Sequence, residues 1–198
     1  MLETLLASVL LLNEVNTMRA NPAAYAAHLE QLLPFYKGEI LRAPRRTPLR
    51  TKEGAAAVQE AIRALRSAQP LPRLRELPAL RRAAEDHVNE IGPRGLVRHE
   101  SLDGTRPADR VRRYMRGAVG VGEVISFGPE EARDVVIDLL VDDGVPGRGH
   151  RKLLLDERFR YGGAACGPHS VYRHMCVIDM LVPAGNMASE DAAEPVQP

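Results

Sequence analysis

Residues 159–180, FRYGGAACGPHSVYRHMCVIDM, contain both cysteines of the chain. Two strand-like runs lie on either side of a Gly-Pro-His segment at 167–169, and this pattern predicts an antiparallel hairpin joined there. Cys166 and Cys176 fall on opposite arms, where their side chains can meet across the strand pair. We therefore expect a disulfide, which would persist only in an oxidising compartment, with two buried free thiols as the alternative.

The flanking sequence supplies elements that can cover this hairpin. Residues 121–128, VGEVISFG, predict another strand. Residues 129–144 predict a helix whose apolar stripe ends at Asp143. Residues 78–92 predict a second helix, in which six positions follow the spacing of one buried face: Leu80, Ala83, Ala84, His87, Val88 and Ile91.

The composition is that of one soluble globular domain. The chain has 198 residues, of which 44% are hydrophobic and 27% are charged, which is ordinary for such a domain. We expect a single domain over residues 1–182, interrupted by a Pro- and Arg-rich insertion with a short helix at 34–76. Residues 183–198 are small, acidic and Pro-rich and predict a flexible tail.

Basic residues are concentrated in one part of the chain. Residues 37–82 contain twelve Lys or Arg against four Asp or Glu. This excess could meet an anionic surface, but Trp is absent and aromatic residues make up only 4%, so the stacking platforms of nucleic-acid binders are missing. We expect a solvated basic face and no nucleic-acid partner.

No apolar run is long enough to span a bilayer, so no transmembrane segment is expected. Residues 1–12 are apolar but are interrupted by Glu3 and lack a basic leader, which predicts a helix and not a signal peptide. If the protein is exported, we expect its signal peptide to be absent from this sequence.

Four polar residues are candidates for a functional site. A carboxylate such as Asp143 at the end of an apolar stripe must be neutralised by a cation, a metal or hydrogen bonds. His150 follows seven residues later, after a glycine turn, and can converge with Asp143 on one point. The alternative is a solvated acid at a frayed helix end.

His99 lies in a loop, and Glu123 begins the strand VGEVISFG. Imidazole and carboxylate together form the mixed shell that zinc accepts, at about 2.0–2.2 Å, or they can act as a proton-transfer pair.

His87 and Glu90 lie one turn apart, but no second histidine completes a zinc-hydrolase helix motif, so His87 is predicted to lie in the core or the cleft wall. We expect His169 and His174 on the hairpin surface.

Four segments in this order resemble the CAP superfamily, which includes cysteine-rich secretory, antigen-five and pathogenesis-related proteins and many bacterial members. The resemblance runs from about residue 77 to residue 180. The segments are AAEDHVNEIG, RHESLDGTRPADRV, VGEVISFG and GRGHRKLLLDERFRYGGAACG.

The resemblance implies an α+β fold in which a central antiparallel sheet lies between helices as an α-β-α sandwich. It also implies a large open cleft with two histidines and two acids. The histidines correspond to His99 and His150. The acids correspond to Glu123 and Asp143, with Asp142 as the fallback because of the insertion around GVPGRG.

Three departures from the family pattern predict a reshaped cleft. Val124 stands where the family usually has Asn, and Leu140 stands where Trp is common. Glu100 is inserted into the His-Ser pair.

We therefore expect an exported, extracellular or periplasmic binding or effector domain. Its cleft is predicted to hold a divalent metal, zinc by preference, through His99 and His150, supported by Glu123 and Asp143. Binding is favoured over catalysis, although the two acids are the acid–base candidates if the domain is an enzyme. The cleft ligand is not identified by the sequence; lipid or sterol and peptide are the classes that the resemblance suggests.

Two other functions fit the same residues. The first is a metal- or His/acid-dependent hydrolase, in which Ser101 is the nearest candidate nucleophile although no G-x-S-x-G elbow surrounds it. The second is a scaffold that binds polyanions through the basic insertion, with affinity that falls steeply as salt is added.

Overall fold

The computed structural model describes residues 2–44, 48–116, 118 and 120–183. The predicted tail therefore lies almost wholly outside the described residues. In chain order the elements are α1 (Leu2–Ala20), α2 (Pro22–Glu30), β1 (Tyr36–Lys37), β2 (Ile40–Leu41), β3 (Leu49–Arg50), α3 (Ala55–Ser67), β4 (Arg75–Glu76), α4 (Pro78–Ile91), α5 (Pro107–Arg112), β5 (Gly120–Phe127), α6 (Ala132–Val141), α7 (Gly149–Leu154), β6 (Tyr161–His169) and β7 (Arg173–Val182).

A four-stranded sheet in the order β4-β6-β7-β5 forms the centre of the fold. The three long strands pair antiparallel, and the two-residue β4 pairs parallel to β6 at one edge. β5 forms the other edge. Its position matters for the site, because β5 carries Glu123.

Helices cover both faces of this sheet, which confirms the predicted α-β-α sandwich. Neighbouring residues on a strand point to opposite faces, so Gly162 and Gly163 of β6 report on the two layers. A Cβ at Gly163 would lie 2.2 Å from the backbone nitrogen of Arg81 in α4, and one at Gly162 would lie 2.8 Å from Leu12 of α1. Only glycine permits both helices to approach this closely.

The helix stripes account for most of the core. All six residues of the predicted α4 stripe, including His87, are buried. α6 also buries its apolar face, but it ends at Val141, and Asp142 adopts a left-handed conformation with φ 54°. The stripe therefore does not continue to Asp143, contrary to the prediction.

The hairpin carries the predicted disulfide, which joins Cys166 and Cys176. The two residues are direct partners in the register of β6 and β7. The turn lies at residues 170–172 and not at 167–169, because pairing continues to His169 and Arg173. A proline at position 168 does not stop β6.

His169 was expected on the surface, and this expectation is wrong. Its side chain is buried, and Nδ1 accepts hydrogen bonds from the backbone N–H groups of Val171 and Tyr172. Nε2 donates to the carbonyl of Leu96 at 3.1 Å. His169 therefore organises the hairpin turn and ties it to the loop after α4.

Over its described residues, the insertion at 34–76 contains the helix α3 and a small sheet that the sequence did not predict. β1, β2 and β3 form a small antiparallel sheet, and α3 packs against α2 and α6. Strands of two residues leave no alternation of apolar and polar positions, so the sequence pattern could not indicate this sheet. No helix among the described residues is both long and apolar enough to cross a bilayer.

Candidate functional site

His99 is held by Glu123 at the edge of the central sheet. The Nδ1 atom of His99 lies 2.8 Å from Oε1 of Glu123. The glutamate is buried, whereas the imidazole keeps 45% of its side-chain surface exposed. The hydrogen bond to Glu123 raises the pKa of His99, against the opposing effect of burial. The ring is thus held by the buried Glu123 on one side and exposed to solvent on the other.

Arg110 of α5 provides the second contact of Glu123. Its guanidinium is fully buried and donates to Oε2 of the glutamate. The same group donates to the backbone carbonyl of His99 at 2.8 Å and to Oγ of Ser101 at 3.3 Å. Arg110 therefore compensates the buried charge of Glu123 and fixes the loop that carries His99.

His150 is held in a similar way, but by Asp142. Nδ1 of His150 lies 2.7 Å from Oδ1 of Asp142, and the backbone N–H of His150 donates to Oδ2 at 2.9 Å. Asp143, the acid predicted for this role, instead accepts backbone hydrogen bonds from Lys52 and Glu53 at 2.6 and 2.9 Å. The fallback residue Asp142 is thus the acid beside His150, because α6 ends before the position that the stripe assumed.

The two histidine–carboxylate pairs meet in one place. The ring centroids of His99 and His150 are 6.3 Å apart. Each Nδ1 is occupied by a carboxylate, so each Nε2 is the ring nitrogen left for another partner. Among the described residues, no group of three or more His, Cys, Asp or Glu side chains is arranged to hold a metal ion.

A second carboxyl lies behind Glu123. Asp179 of β7 is the direct cross-strand partner of Glu123 and is completely buried. Burial, followed by the charge of Glu123, raises the pKa of Asp179 well above its usual range. Neither oxygen of Asp179 accepts a hydrogen bond from the described residues. As the neutral acid, Asp179 can instead donate a hydrogen bond to Glu123.

His87 is a buried core residue, one of the two positions predicted for it. It is fully buried in α4, and Nε2 donates to the carbonyl of Arg98 at 2.9 Å. Burial lowers its pKa. A neutral imidazole here supports the loop that leads to His99.

A cavity of about 890 Å³ lies between α3 and the loop before α7. Charged residues line it alongside apolar ones, and Arg148 forms ion pairs there with Glu53 and Glu60. The four candidate site residues are not part of its lining. The cavity is therefore separate from the histidine pair.

Arg110 and Asp179 are the site residues that sequence reasoning missed. Arg110 lies in the segment quoted for the family resemblance, and Asp179 interrupts the apolar run VIDML. For Asp179 a signal was available, because a charged residue inside a predicted strand must find a partner. The strand register was needed to identify Glu123 as that partner.

The chain is similar to a known protein family. The model of the CAP family, described as the cysteine-rich secretory protein family, matches residues 59–180. Among curated proteins, none matches the chain.

Solved structures also resemble it. An outer surface protein of Borrelia burgdorferi has 20% identity and a TM-score of 0.49, covering 58% of this chain and 80% of that one. An extracellular protein of Bacillus anthracis with an SCP domain has 23% identity and a TM-score of 0.48, covering 57% and 35%. A cysteine-rich secretory protein of Staphylococcus aureus has 13% identity and a TM-score of 0.40, covering 65% and 38%. This chain therefore spans little more than a third of the length of the last two.

Proposed function

Because the chain belongs to the CAP family of cysteine-rich secretory proteins, we propose that it is an exported binding module whose cleft holds a divalent cation, zinc by preference, through Nε2 of His99 and His150. Glu123 and Asp142 orient the two imidazoles. The Cys166–Cys176 disulfide supports export, since such a bond persists in oxidising compartments.

One observation carries the proposal. In both histidines Nδ1 is hydrogen-bonded to a buried carboxylate, at 2.8 and 2.7 Å, and the two ring centroids lie 6.3 Å apart. Metal-binding histidines are commonly oriented by a carboxylate on the other ring nitrogen, which also raises the basicity of the ligand atom. Imidazole suits zinc better than it suits calcium or magnesium, which prefer oxygen ligands. The donor set therefore fits zinc.

Two imidazoles fill only half of the four positions that zinc usually takes. Water or an oxygen donor of a bound molecule would supply the rest. The proposed module thus binds zinc more weakly than a four-ligand structural site does. It binds a ligand with a carboxylate or phosphate more strongly when zinc is present.

Zinc titration by calorimetry tests the proposal on the wild type and on His99→Ala, His150→Ala and His174→Ala. His174 is the matched control, because its Nδ1 bonds the carbonyl of Pro129 on another part of the molecule. We expect the first two variants to lose zinc binding and the third to keep it. Equal zinc binding by all four proteins, or none by the wild type, would overturn the proposal.

The hydrolase alternative uses the same two pairs, because the raised pKa of His99 suits an acid–base group. Ser101 does not support it as a nucleophile. Its side chain is buried and accepts a hydrogen bond from Arg110, so its hydroxyl is not offered to a substrate. Zinc-dependent cleavage of a peptide or ester panel, lost in His99→Ala, would favour this alternative over binding.

Ion pairs formed by arginines of the insertion weaken the polyanion alternative. Arg50 and Arg66 form ion pairs with Glu39 and Glu30. Their charge is partly compensated within the fold, which reduces the attraction for a distant anion. Heparin affinity that falls steeply with added salt would restore this alternative.

A further inference from the structure

The insertion contacts the loop between α6 and α7, which connects Asp142 to His150. Asp143 of that loop accepts hydrogen bonds from the backbone N–H groups of Lys52 and Glu53. The backbone N–H of Gly144 in turn donates to Oε1 of Glu53 at 2.6 Å. These contacts join residues about 90 positions apart in the sequence.

Arg148 completes this connection. Its guanidinium donates to both oxygens of Glu53 at 2.6 Å and to Oε2 of Glu60 at 2.7 Å. It also donates to the backbone carbonyl of Asp142 at 2.8 Å. Only 15% of its side chain is exposed. One residue therefore links two insertion carboxylates to the residue that holds His150.

The loop needs such support because its backbone is unusual. Asp142 and Arg148 are non-glycine residues at φ 54° and 55°, and Gly144 and Gly147 also have positive φ. L-residues with a Cβ disfavour this region, so conformations of this kind persist where the surroundings hold them. The insertion provides those surroundings.

We propose that Glu53, Glu60 and Arg148 form an insertion clamp, which positions the Asp142–His150 pair. Each member acts through another residue and none contacts the proposed ion. The part of the proposal that concerns zinc rests on the proposed function, and the part that concerns the placement of His150 does not.

The clamp differs from an ordinary surface ion pair. Exposed pairs usually add little to stability because water and salt screen them. Here several hydrogen bonds converge on one loop, and the hydrogen bonds from Arg148 lower the pKa of Glu53 to about 2. The network is therefore charged throughout the neutral range.

Arg148→Gly removes the clamp without a backbone penalty, because glycine readily adopts φ 55°. Arg66→Ala is the matched control: Arg66 lies on the same insertion helix, α3, but its ion pair is with Glu30. Nitrogen NMR of metal-free protein follows the imidazole N–H of His150, which the bond to Asp142 protects from exchange with water. Zinc calorimetry follows affinity.

We expect Arg148→Gly to lose the protected His150 signal and to raise the zinc Kd about tenfold, with Arg66→Ala unchanged in both. Arg148→Lys should fail to restore them, since one ammonium group cannot span three acceptors. Glu60→Gln keeps the shape of the side chain, and it should weaken the protected His150 signal and raise the zinc Kd by less than Arg148→Gly does. Glu60→Gln replaces Arg148→Gly in the test if the glycine variant does not fold.

An unchanged His150 signal in folded Arg148→Gly, or in Glu60→Gln where the glycine variant does not fold, would overturn the clamp. Absence of zinc binding by the wild type would instead overturn the proposed function. The NMR comparison would still decide whether the insertion positions His150, so the two failures are distinguishable.

Discussion

Asp142 holds His150 at two points, with Oδ1 2.7 Å from the ring Nδ1 and Oδ2 2.9 Å from the backbone nitrogen. The carboxylate thereby fixes both the ring and the start of α7. It reaches this position because Asp142 leaves the helical conformation one residue after α6 ends.

Asp142→Asn should weaken zinc binding about tenfold with little loss of fold stability. Asn tolerates the left-handed backbone, but its neutral amide orients and polarises the imidazole less than a carboxylate does. Zinc calorimetry measures the change. Asp156→Asn is the control, because Asp156 pairs with Arg158, and an equal loss in both variants would contradict the role of Asp142.

Glu123→Gln should destabilise the fold by about 3 kcal/mol, since it leaves the buried Arg110 guanidinium without its charged partner. Urea unfolding measures this change. Glu130→Gln is the control: its pair with Arg173 is exposed and should contribute less than about 0.5 kcal/mol. A loss below about 1 kcal/mol for Glu123→Gln would mean that Asp179 ionises and takes over the pairing.

The double variant Cys166→Ala, Cys176→Ala should lose about 3 kcal/mol, because the disulfide restricts the unfolded chain. Its two residues are 10 apart in sequence. Unfolding of the variant and of the oxidised wild type in denaturant gives the difference. Oxidised protein titrated after unfolding should show no free thiols, and two reactive thiols would contradict the bond.

Asp138→Asn should change how stability depends on pH. Burial raises the pKa of Asp138 to about 6, and its carboxyl bonds Ser126 at 2.7 Å. Because the pKa of Asp138 is higher in the folded state than in the unfolded chain, Asp138 contributes to the free energy of unfolding. That contribution is complete below about pH 4 and is lost as the pH rises through about 6.

The Asn variant lacks this loss, so its stability relative to wild type should rise by about 2 kcal/mol between pH 4 and pH 8. Thermal unfolding across that range measures the difference. Glu157→Gln, at an exposed position, is the control. Parallel pH profiles for wild type and Asp138→Asn would show that Asp138 keeps an ordinary pKa.

Local sequence patterns predicted the elements better than their ends. The α4 stripe was complete because each of its positions repeats the same helical geometry. The predicted end of α6 lay two residues too far along the chain, since periodicity does not indicate where a residue such as Asp142 leaves the helix. The hairpin turn was also misplaced, because the Gly-Pro-His segment at 167–169 has the composition of a turn, whereas the strand pairing continues to His169 and Arg173.

The positions of the candidate site residues could be predicted only in part. His99, Glu123 and His150 follow from motif order, whereas Arg110 and Asp179 follow from the packing of α5 and from strand register. The insertion clamp was not predicted, because Glu53 and Arg148 lie 95 residues apart. Nothing in either local segment indicates the other.

Short-range geometry was enough to predict the amphipathic helices, the hairpin and the cysteine pair that faces across it. It was not enough to predict which acid meets His150, which carboxyl lies behind Glu123 and which residues the insertion contacts. These depend on contacts between distant segments, and their free energy arises only when folding brings buried charges together away from water.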